Sequence, residues 1–197
     1  MKIIGLTGGI GSGKSTIASI FGTIGIPVYE SDARAKALMN EDPDLKTKIT
    51  SLLGPDAYTN GEINRPWIAE RVFADNNLLD QLNAIVHPAV KKDAIAFANE
   101  KANEAAPYII KESAILLEEN LTDELDAIIL VVAPLEIRID RVMKRDGISR
   151  EQIEKRIQNQ WTDDIKIPLA DYVIFNDGER SLLEQVRDID QMIKLAE

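Results

Sequence analysis

Residues 8–15 of this chain read GGIGSGKS and fit the phosphate-loop pattern G-x-x-x-x-G-K-[ST] at every required position. The apolar run before the loop predicts a buried parallel strand over residues 2–7, and apolar residues at 17, 20, 21 and 24 predict a helix after it. In this order, strand, loop and helix direct main-chain N–H groups and the positive end of a helix dipole at phosphate oxygens. The sequence therefore predicts a site for nucleotide phosphates.

Each required residue of the loop has a physical task. Glycines at positions 8, 11 and 13 let the main chain approach phosphate oxygens. Lys14 is expected to reach the β- and γ-phosphates, and the Ser15 hydroxyl is expected to coordinate the Mg²⁺ between them. A flexible turn is the ordinary alternative, which the flanking strand and helix disfavour. The dinucleotide motif G-x-G-x-x-G fails in every register, because Lys14 or Thr16 stands where a small residue is needed.

Length, charge and composition exclude several classes of protein. The 197 residues predict one domain with insertions. A net charge of −10 argues against broad binding to nucleic acid or anionic membranes, which need a positive surface. The absence of cysteine and the presence of one histidine exclude thiolate nucleophiles and multi-histidine metal sites. With no apolar run of membrane-spanning length and no room for a signal peptide before the first strand, we expect a cytoplasmic protein.

The second predicted strand ends near Tyr29, and a helix is predicted from Asp32 to about Asn40. Ligands of doubly wound sheets bind beyond the carboxyl ends of the strands, so Asp32 is a candidate base; a helix cap, by Ser31 or Asp32, is an equally good interpretation. Residues 43–105 carry helical patterns and no convincing parallel strand, with a junction between helices at His87-Pro88. Capping or packing is the more favoured role for His87 on residue type alone.

The second half of the chain predicts three more strands and a cluster of arginines. Strands are expected at 107–110, 127–132 and 170–175, the second of these central, and a closing helix at 181–196. Glu112 follows the first of these strands, where many phosphate-loop enzymes have an acid that helps to hold hydrated Mg²⁺. Arg138, Arg141 and Arg145 share one helix face, which suits phosphate, although a solvated face paired with Glu136 and Asp140 is the alternative.

Beyond these local patterns, the chain resembles the dephospho-CoA kinase family over nearly its whole length. The resemblance is carried by the string LTGGIGSGKST at 6–16 together with Ser31-Asp32, Val72-Phe73, His87-Pro88, Arg141 with Arg145-Asp146, Gln160, and Ala170-Asp171 with Asn176-Asp177-Gly178. It implies an α/β fold of the P-loop NTPase type, with a parallel sheet of about five strands flanked by helices. The expected core is about 1–33, 106–133 and 169–197, the helical acceptor-binding insertion about 34–105, and the arginine-bearing lid about 134–168.

The resemblance also implies an activity, which is transfer of the γ-phosphoryl group of ATP to the ribose 3′-hydroxyl of dephospho-CoA, the last step of coenzyme A biosynthesis. Asp32 would accept or orient the hydroxyl proton, Lys14 and Arg141 would stabilise the transferring group, and Thr7, Asp32 and His87 would contact the acceptor. Mg²⁺ would accompany ATP, held by Ser15 and, through water, Glu112. The implied ATP-binding residues are Gly11, Ser12, Gly13, Lys14, Ser15, Thr16, Arg145 and Asn176.

Some positions depart from the family pattern, and other functions stay open. Glu30 stands where the first acid of Asp-Ala-Asp is common, and the segment after Gln160 lacks the usual basic residues. A kinase for another small acceptor, such as a nucleoside monophosphate or a sugar acid, fits the same pattern. A GTPase switch predicts Asn-Lys-x-Asp and a transport ATPase predicts Leu-Ser-Gly-Gly-Gln, and neither string occurs. The expected partners are ATP and dephospho-CoA, in a monomer or small homo-oligomer.

Overall fold

A computed structural model describes residues 1–196, without the side chains of Phe73 and Asn76. Its strands are β1 (Lys2–Thr7), β2 (Val28–Glu30), β3 (Tyr58–Thr59), β4 (Glu62–Ile63), β5 (Tyr108–Glu112), β6 (Ala127–Val132) and β7 (Tyr172–Phe175). Its helices are α1 (Lys14–Thr23), α2 (Ser31–Glu41), α3 (Pro43–Leu53), α4 (Arg65–Ala74), α5 (Asn76–Asn103), α6 (Leu135–Asp146), α7 (Arg150–Gln158), α8 (Asp163–Lys166) and α9 (Leu182–Leu195). Within residues 1–196, no helix is both long enough and apolar enough to span a bilayer.

The main sheet has five parallel strands in the order β2-β5-β1-β6-β7. β1 is the middle strand, paired with β5 from Lys2↔Tyr108 to Leu6↔Glu112 and with β6 from Ile4↔Ala127 to Thr7↔Leu130. The predicted fold class is therefore confirmed. β6, which was expected to be central, is an interior strand beside the middle one.

The chain divides into two compact units. The first contains Met1–Tyr29 and the chain from Ala98 onward, and it holds the central strands of the sheet. Its apolar core packs Ile17 and Phe21 of α1 and Val186 and Ile189 of α9 against one face of that sheet. Because α1 follows the phosphate loop directly, this burial fixes the helix on which the loop depends.

The second unit, Glu30–Phe97, is mainly helical. Leu45 and Ile49 of α3 are buried. The Arg34 guanidinium of α2 donates two hydrogen bonds to the Asp93 carboxylate of α5 (2.9 and 3.0 Å). A turn at Asn60-Gly61 joins the two antiparallel strands β3 and β4, with φ of 54° and 83° at its two residues. These are the positive values that a tight hairpin needs.

Two local predictions in this unit are wrong. The junction expected at His87-Pro88 does not exist, because Pro88 lies inside α5, a single helix of 28 residues. Proline's fixed φ is compatible with a helix, and the buried neighbours Val86 and Val90 hold the helix together despite the lost hydrogen bond. At the start of α2, no side chain among the described residues caps the helix: Ser31 is already helical, with a buried Oγ that has no hydrogen-bond partner there.

Candidate active site

The phosphate loop occupies residues 8–13, between the carboxyl end of β1 and the first residue of α1. Gly13 precedes α1 with φ 98° and ψ 25°, the left-handed conformation. A Cβ at this position would lie 2.1 Å from Asn176 Nδ2, so both the conformation and the available space require glycine. The N–H groups of the first residues of a helix have no acceptor within the helix itself, which makes the start of α1 a site suited to an anion.

Lys14 begins α1 and folds back over the loop. Its Nζ donates a hydrogen bond to the Gly8 carbonyl (2.8 Å). Ser15 and Thr16, the next two residues of the helix, are exposed. The ammonium group of Lys14 and the start of the helix therefore lie together at the carboxyl end of the middle strand, where an anion is stabilised by both.

Arg141 and Asn176 hold the second half of the loop. Arg141 Nη1 donates to the carbonyls of Gly11 and Ser12 (3.4 Å each), and its Nη2 donates to Asn176 Oδ1 (2.9 Å). The buried Asn176 side chain in turn donates through Nδ2 to the Ser12 carbonyl (2.8 Å). Two side chains that lie more than 120 residues away in sequence therefore position the main chain of the loop.

The turn after Asn176 is held by a carboxylate. Asp177 accepts hydrogen bonds from the main-chain N–H groups of Arg180 and Glu179 (3.0 Å each). These bonds, together with the charge of the Arg180 guanidinium, hold the pKa of Asp177 below its usual value. The Asp177 carboxylate therefore stays ionised and keeps this turn closed near neutral pH.

The three arginines expected on one face of α6 have different surroundings. Arg138 is buried and donates through Nε to the Ile10 carbonyl (3.0 Å), whereas Arg141 contacts the loop as described above. Arg145 is 63% exposed and pairs with Asp146 (2.7 Å), which raises the pKa of Arg145 and lowers that of the carboxyl group. The alternative interpretation paired these arginines with Glu136 and Asp140. Glu136 pairs with Arg150, which is not one of the three.

Sequence reasoning gave no role to Gln160, whose Oε1 accepts the Ile10 N–H (2.8 Å). Gln160 is one of the residues that carry the family resemblance, but no local pattern predicts this contact, because it joins residues 150 apart in the chain. The tight approach of α6 was missed for the same reason. A Cβ on Gly9 would lie 2.1 Å from Arg138 Nη2, so any larger residue at this position, which the motif leaves open, would displace the Arg138 guanidinium.

The remaining candidates are distributed over both units. In the first unit, Thr7 ends β1 with a buried Oγ1 that has no hydrogen-bond partner among the described residues, and Glu112 ends β5 opposite Leu6. In the second unit, Asp32 lies in the first turn of α2, two residues after β2, and His87 is half-buried within α5.

Comparison of the sequence with models of known protein families identifies the family of this chain. The sequence model of the dephospho-CoA kinase family matches residues 2–181. The chain belongs to the dephospho-CoA kinase family. A dephospho-CoA kinase of Bacteroides fragilis (strain YCH46) is 40% identical over 186 residues, which cover 94% of this chain and 90% of that protein. The resemblance identified from the sequence is thereby confirmed.

Solved structures agree with this membership of the dephospho-CoA kinase family. A crystal structure of a Thermus thermophilus protein superposes with a TM-score of 0.86 at 34% identity, covering 100% of this chain and 98% of that one. The dephospho-CoA kinase of Campylobacter jejuni has a TM-score of 0.63 at 22% identity, with 98% and 97% covered, which shows a shared fold. The fold around the phosphate loop is therefore that of the family.

Proposed function

We propose that this chain transfers the γ-phosphoryl group of ATP to the ribose 3′-hydroxyl of dephospho-CoA, giving coenzyme A and ADP. The observation that carries the proposal is the match to the dephospho-CoA kinase family over residues 2–181, which includes a complete phosphate loop. The requirement for ATP makes the cytoplasm the expected compartment.

The donor phosphates are assigned to the phosphate loop and the start of α1. The N–H groups of residues 11–16 would bind the phosphate oxygens, and Lys14 would exchange its bond to the Gly8 carbonyl for the β- and γ-phosphates. Arg141 already lies against Gly11 and Ser12, so we assign it to the charge that develops on the transferring group. The segment around Asn176 would lie near the adenine, while the Asn176 side chain holds the Ser12 carbonyl of the loop. Arg145 could contact the nucleotide only by giving up its pair with Asp146.

The donor set near the loop fits Mg²⁺. This ion takes hard oxygen ligands and is usually bound by one or two carboxylates together with substrate phosphates. The exposed Ser15 hydroxyl at the start of α1 and the Glu112 carboxylate at the end of β5 are oxygen donors of this kind. When bound, the ion would neutralise charge on the β- and γ-phosphates.

The acceptor is assigned to Asp32, with Thr7 and His87 as further contacts. Asp32 would accept or orient the proton of the attacking hydroxyl, because a carboxylate is acceptor-only when ionised. Asp32 lies in the first turn of α2, directly after the carboxyl end of β2, which is where doubly wound sheets bind their ligands. Little covalent chemistry is left to the protein, since phosphoryl transfer depends mainly on positioning and charge stabilisation.

The proposal is tested by incubating the purified chain with MgATP and a panel of acceptors comprising dephospho-CoA, nucleoside monophosphates and sugar acids. ADP release and phosphorylated product are measured together, and the product from dephospho-CoA is examined for phosphate at the ribose 3′ position. We expect ADP and phosphorylated product to form in equal amounts when dephospho-CoA is the acceptor, and neither to form with the other acceptors. Equal turnover of another acceptor, acceptor-independent hydrolysis or a preference for GTP would each contradict the proposal.

A further inference from the structure

Ile10, at the crest of the phosphate loop, is held by the helical segment that follows β6. Its side chain packs against a small apolar cluster formed by Ile139 and Val142 of α6 and Ile153 of α7. All three cluster residues are almost completely buried. The side chain of this loop residue is therefore half-buried against the cluster that the two helices form.

Both peptide groups of Ile10 are also bonded to side chains of this segment. The N–H donates to Gln160 Oε1 at 2.8 Å, and the carbonyl accepts from Arg138 Nε at 3.0 Å. Side chain, N–H and carbonyl of a single loop residue thus have three separate attachments to residues 138–160. Such a residue has one conformation open to it as long as all three attachments hold.

The two residues that bond to Ile10 are held by further contacts, Arg138 through its side chain and Gln160 through its main chain. Arg138 is buried, and its Nη1 lies 3.6 Å from the Asp163 carboxylate at the start of α8. The main-chain N–H of Gln160 donates to the Ile157 carbonyl at the end of α7 (3.0 Å). At the end of α8, the fully buried Lys166 pairs with Glu118. The attachments of Ile10 therefore have a rigid base in the first unit.

We infer that Gln160 and Arg138 are positioning residues that fix the Ile10 peptide and thereby hold the phosphate loop in its triphosphate-binding conformation. The inference rests on the proposed function of the loop as the ATP phosphate site. Neither side chain has to touch the nucleotide for this role. Affinity for a ligand falls in proportion to the fraction of protein in the binding-competent conformation, so loosening Ile10 weakens phosphate binding without removing any phosphate ligand.

The inference is tested with Gln160→Met, which keeps the length of the side chain and lacks the carbonyl acceptor. Binding of tripolyphosphate and of dephospho-CoA to the full chain is measured by calorimetry, and exchange of the Ile10 amide proton is followed by NMR. We expect affinity for tripolyphosphate to fall about 3- to 10-fold, the factor that one hydrogen bond supports. We expect dephospho-CoA affinity to change less than about 2-fold and the Ile10 amide to exchange faster.

The chain offers a matched control, a rescue and a second variant. Gln158→Met makes the same change at an exposed glutamine two residues earlier and should leave both affinities unchanged. Gln160→Glu keeps an acceptor oxygen and should restore protection of the Ile10 amide. Ile10→Ala removes the apolar attachment and should reproduce the selective loss of tripolyphosphate affinity, which keeps the test decisive if Gln160→Met does not fold.

The outcomes separate the inference from the proposed function. Unchanged tripolyphosphate affinity in Gln160→Met and Ile10→Ala overturns the inference. Equal loss of both affinities, with a lower unfolding temperature, also overturns it, since that is the result of a purely structural role. If the unmodified chain binds no tripolyphosphate, the assignment of the loop as the ATP site fails, and the inference fails with it.

Discussion

Gly13 shows how a local motif depends on a distant partner. The pattern predicts glycine there, and the structure gives two physical reasons, a φ of 98° and a hypothetical Cβ 2.1 Å from Asn176 Nδ2. The first reason belongs to the loop itself and is predictable from sequence. The second depends on a residue 163 positions later in the chain, which no local pattern identifies. Loop residues were therefore predictable, whereas the contacts of Asn176 and Gln160 with them were not.

Gly13→Ala should destabilise the fold by about 1–3 kcal/mol, because alanine is strained at positive φ and its Cβ displaces Asn176. ATP affinity should fall in parallel, since the Asn176 side chain holds the Ser12 carbonyl. Urea unfolding and ATP calorimetry measure the two effects.

Gly22→Ala is the matched control within α1. Nothing lies within 4 Å of the hypothetical Cβ of Gly22, and alanine there should raise the free energy of unfolding by about 0.5–1 kcal/mol. Similar effects at the two glycines would contradict this account.

Asp32→Asn should lower kcat by roughly 10²–10⁴ and leave ATP affinity nearly unchanged, because an amide cannot act as a general base. Steady-state kinetics with dephospho-CoA and calorimetry with ATP separate the two quantities. Asp44→Asn makes the same change at an exposed acid in the first turn of α3 and should preserve kcat. A fully active Asp32→Asn variant would leave Asp32 with no part in proton transfer.

At the scale of elements, sequence periodicity was sufficient where the signal is local. The apolar runs that form β1 and β6 were predicted at their observed bounds, because strands buried on both faces are continuously apolar. The continuity of α5 was not predicted, since a proline is ordinarily a helix boundary. The continuity of α5 depends on packing in the second unit, which cannot be predicted from a single sequence.

The position of Pro88 inside α5 predicts that Pro88→Ala stabilises the protein. Pro88 is exposed, so alanine loses little packing and restores the N–H that hydrogen-bonds within the helix. A gain of about 1–3 kcal/mol in the free energy of unfolding is expected. Pro43→Ala is the contrasting control, because proline is favoured at the first position of α3, and its loss should give no gain. Equal changes in the two variants by urea unfolding would contradict the explanation.

Tyr108 connects β5 to α9 and predicts a pH dependence of stability. Its buried hydroxyl donates to Asp190 Oδ1 (2.7 Å), and burial, with that hydrogen bond and the carboxylate charge, raises the pKa of Tyr108 above its usual value. As pH rises, the Tyr108 hydroxyl therefore deprotonates at a lower pH in the unfolded state than in the folded state. The contribution of this hydroxyl to the free energy of unfolding is complete below about pH 10 and declines as pH rises further. Tyr108→Phe should flatten this decline and cost about 1 kcal/mol at neutral pH.

Chemical unfolding between pH 7 and 11 measures the effect, which is a difference in slope between the two proteins. Tyr172→Phe, at a partly buried tyrosine of β7, serves as the control and should keep the slope of the unmodified chain. If Tyr108→Phe retains the full decline above pH 10, another group is responsible for it.

For the whole molecule, the fold class predicted from the sequence is confirmed. The family match also confirms the resemblance from which that fold was inferred. What the sequence did not supply is the set of contacts between segments far apart in the chain. Lys166 illustrates the point, because it pairs with Glu118 of an earlier segment, and even the buried pair of Lys111 with Glu124, at a separation of 13 residues, has no local signal. In the sequence each lysine is an ordinary charged residue, which is rarely fully buried. Only the tertiary structure supplies the carboxylates that make such burial possible.

The Lys166–Glu118 pair predicts a strongly non-additive pair of variants. Lys166 is fully buried and the Glu118 side chain is 10% exposed, so Lys166→Met leaves a carboxylate away from water without a counter-charge. We expect this variant to lose about 3–5 kcal/mol of unfolding free energy, whereas Lys166→Met combined with Glu118→Leu should recover most of the loss. Urea unfolding of both single variants and the double variant gives the coupling energy. Arg150→Met, which breaks an exposed pair with Glu136, should change stability little. Additive losses at Lys166 and Glu118 would mean that each side chain stabilises the first unit through packing alone, and that their charges do not depend on each other.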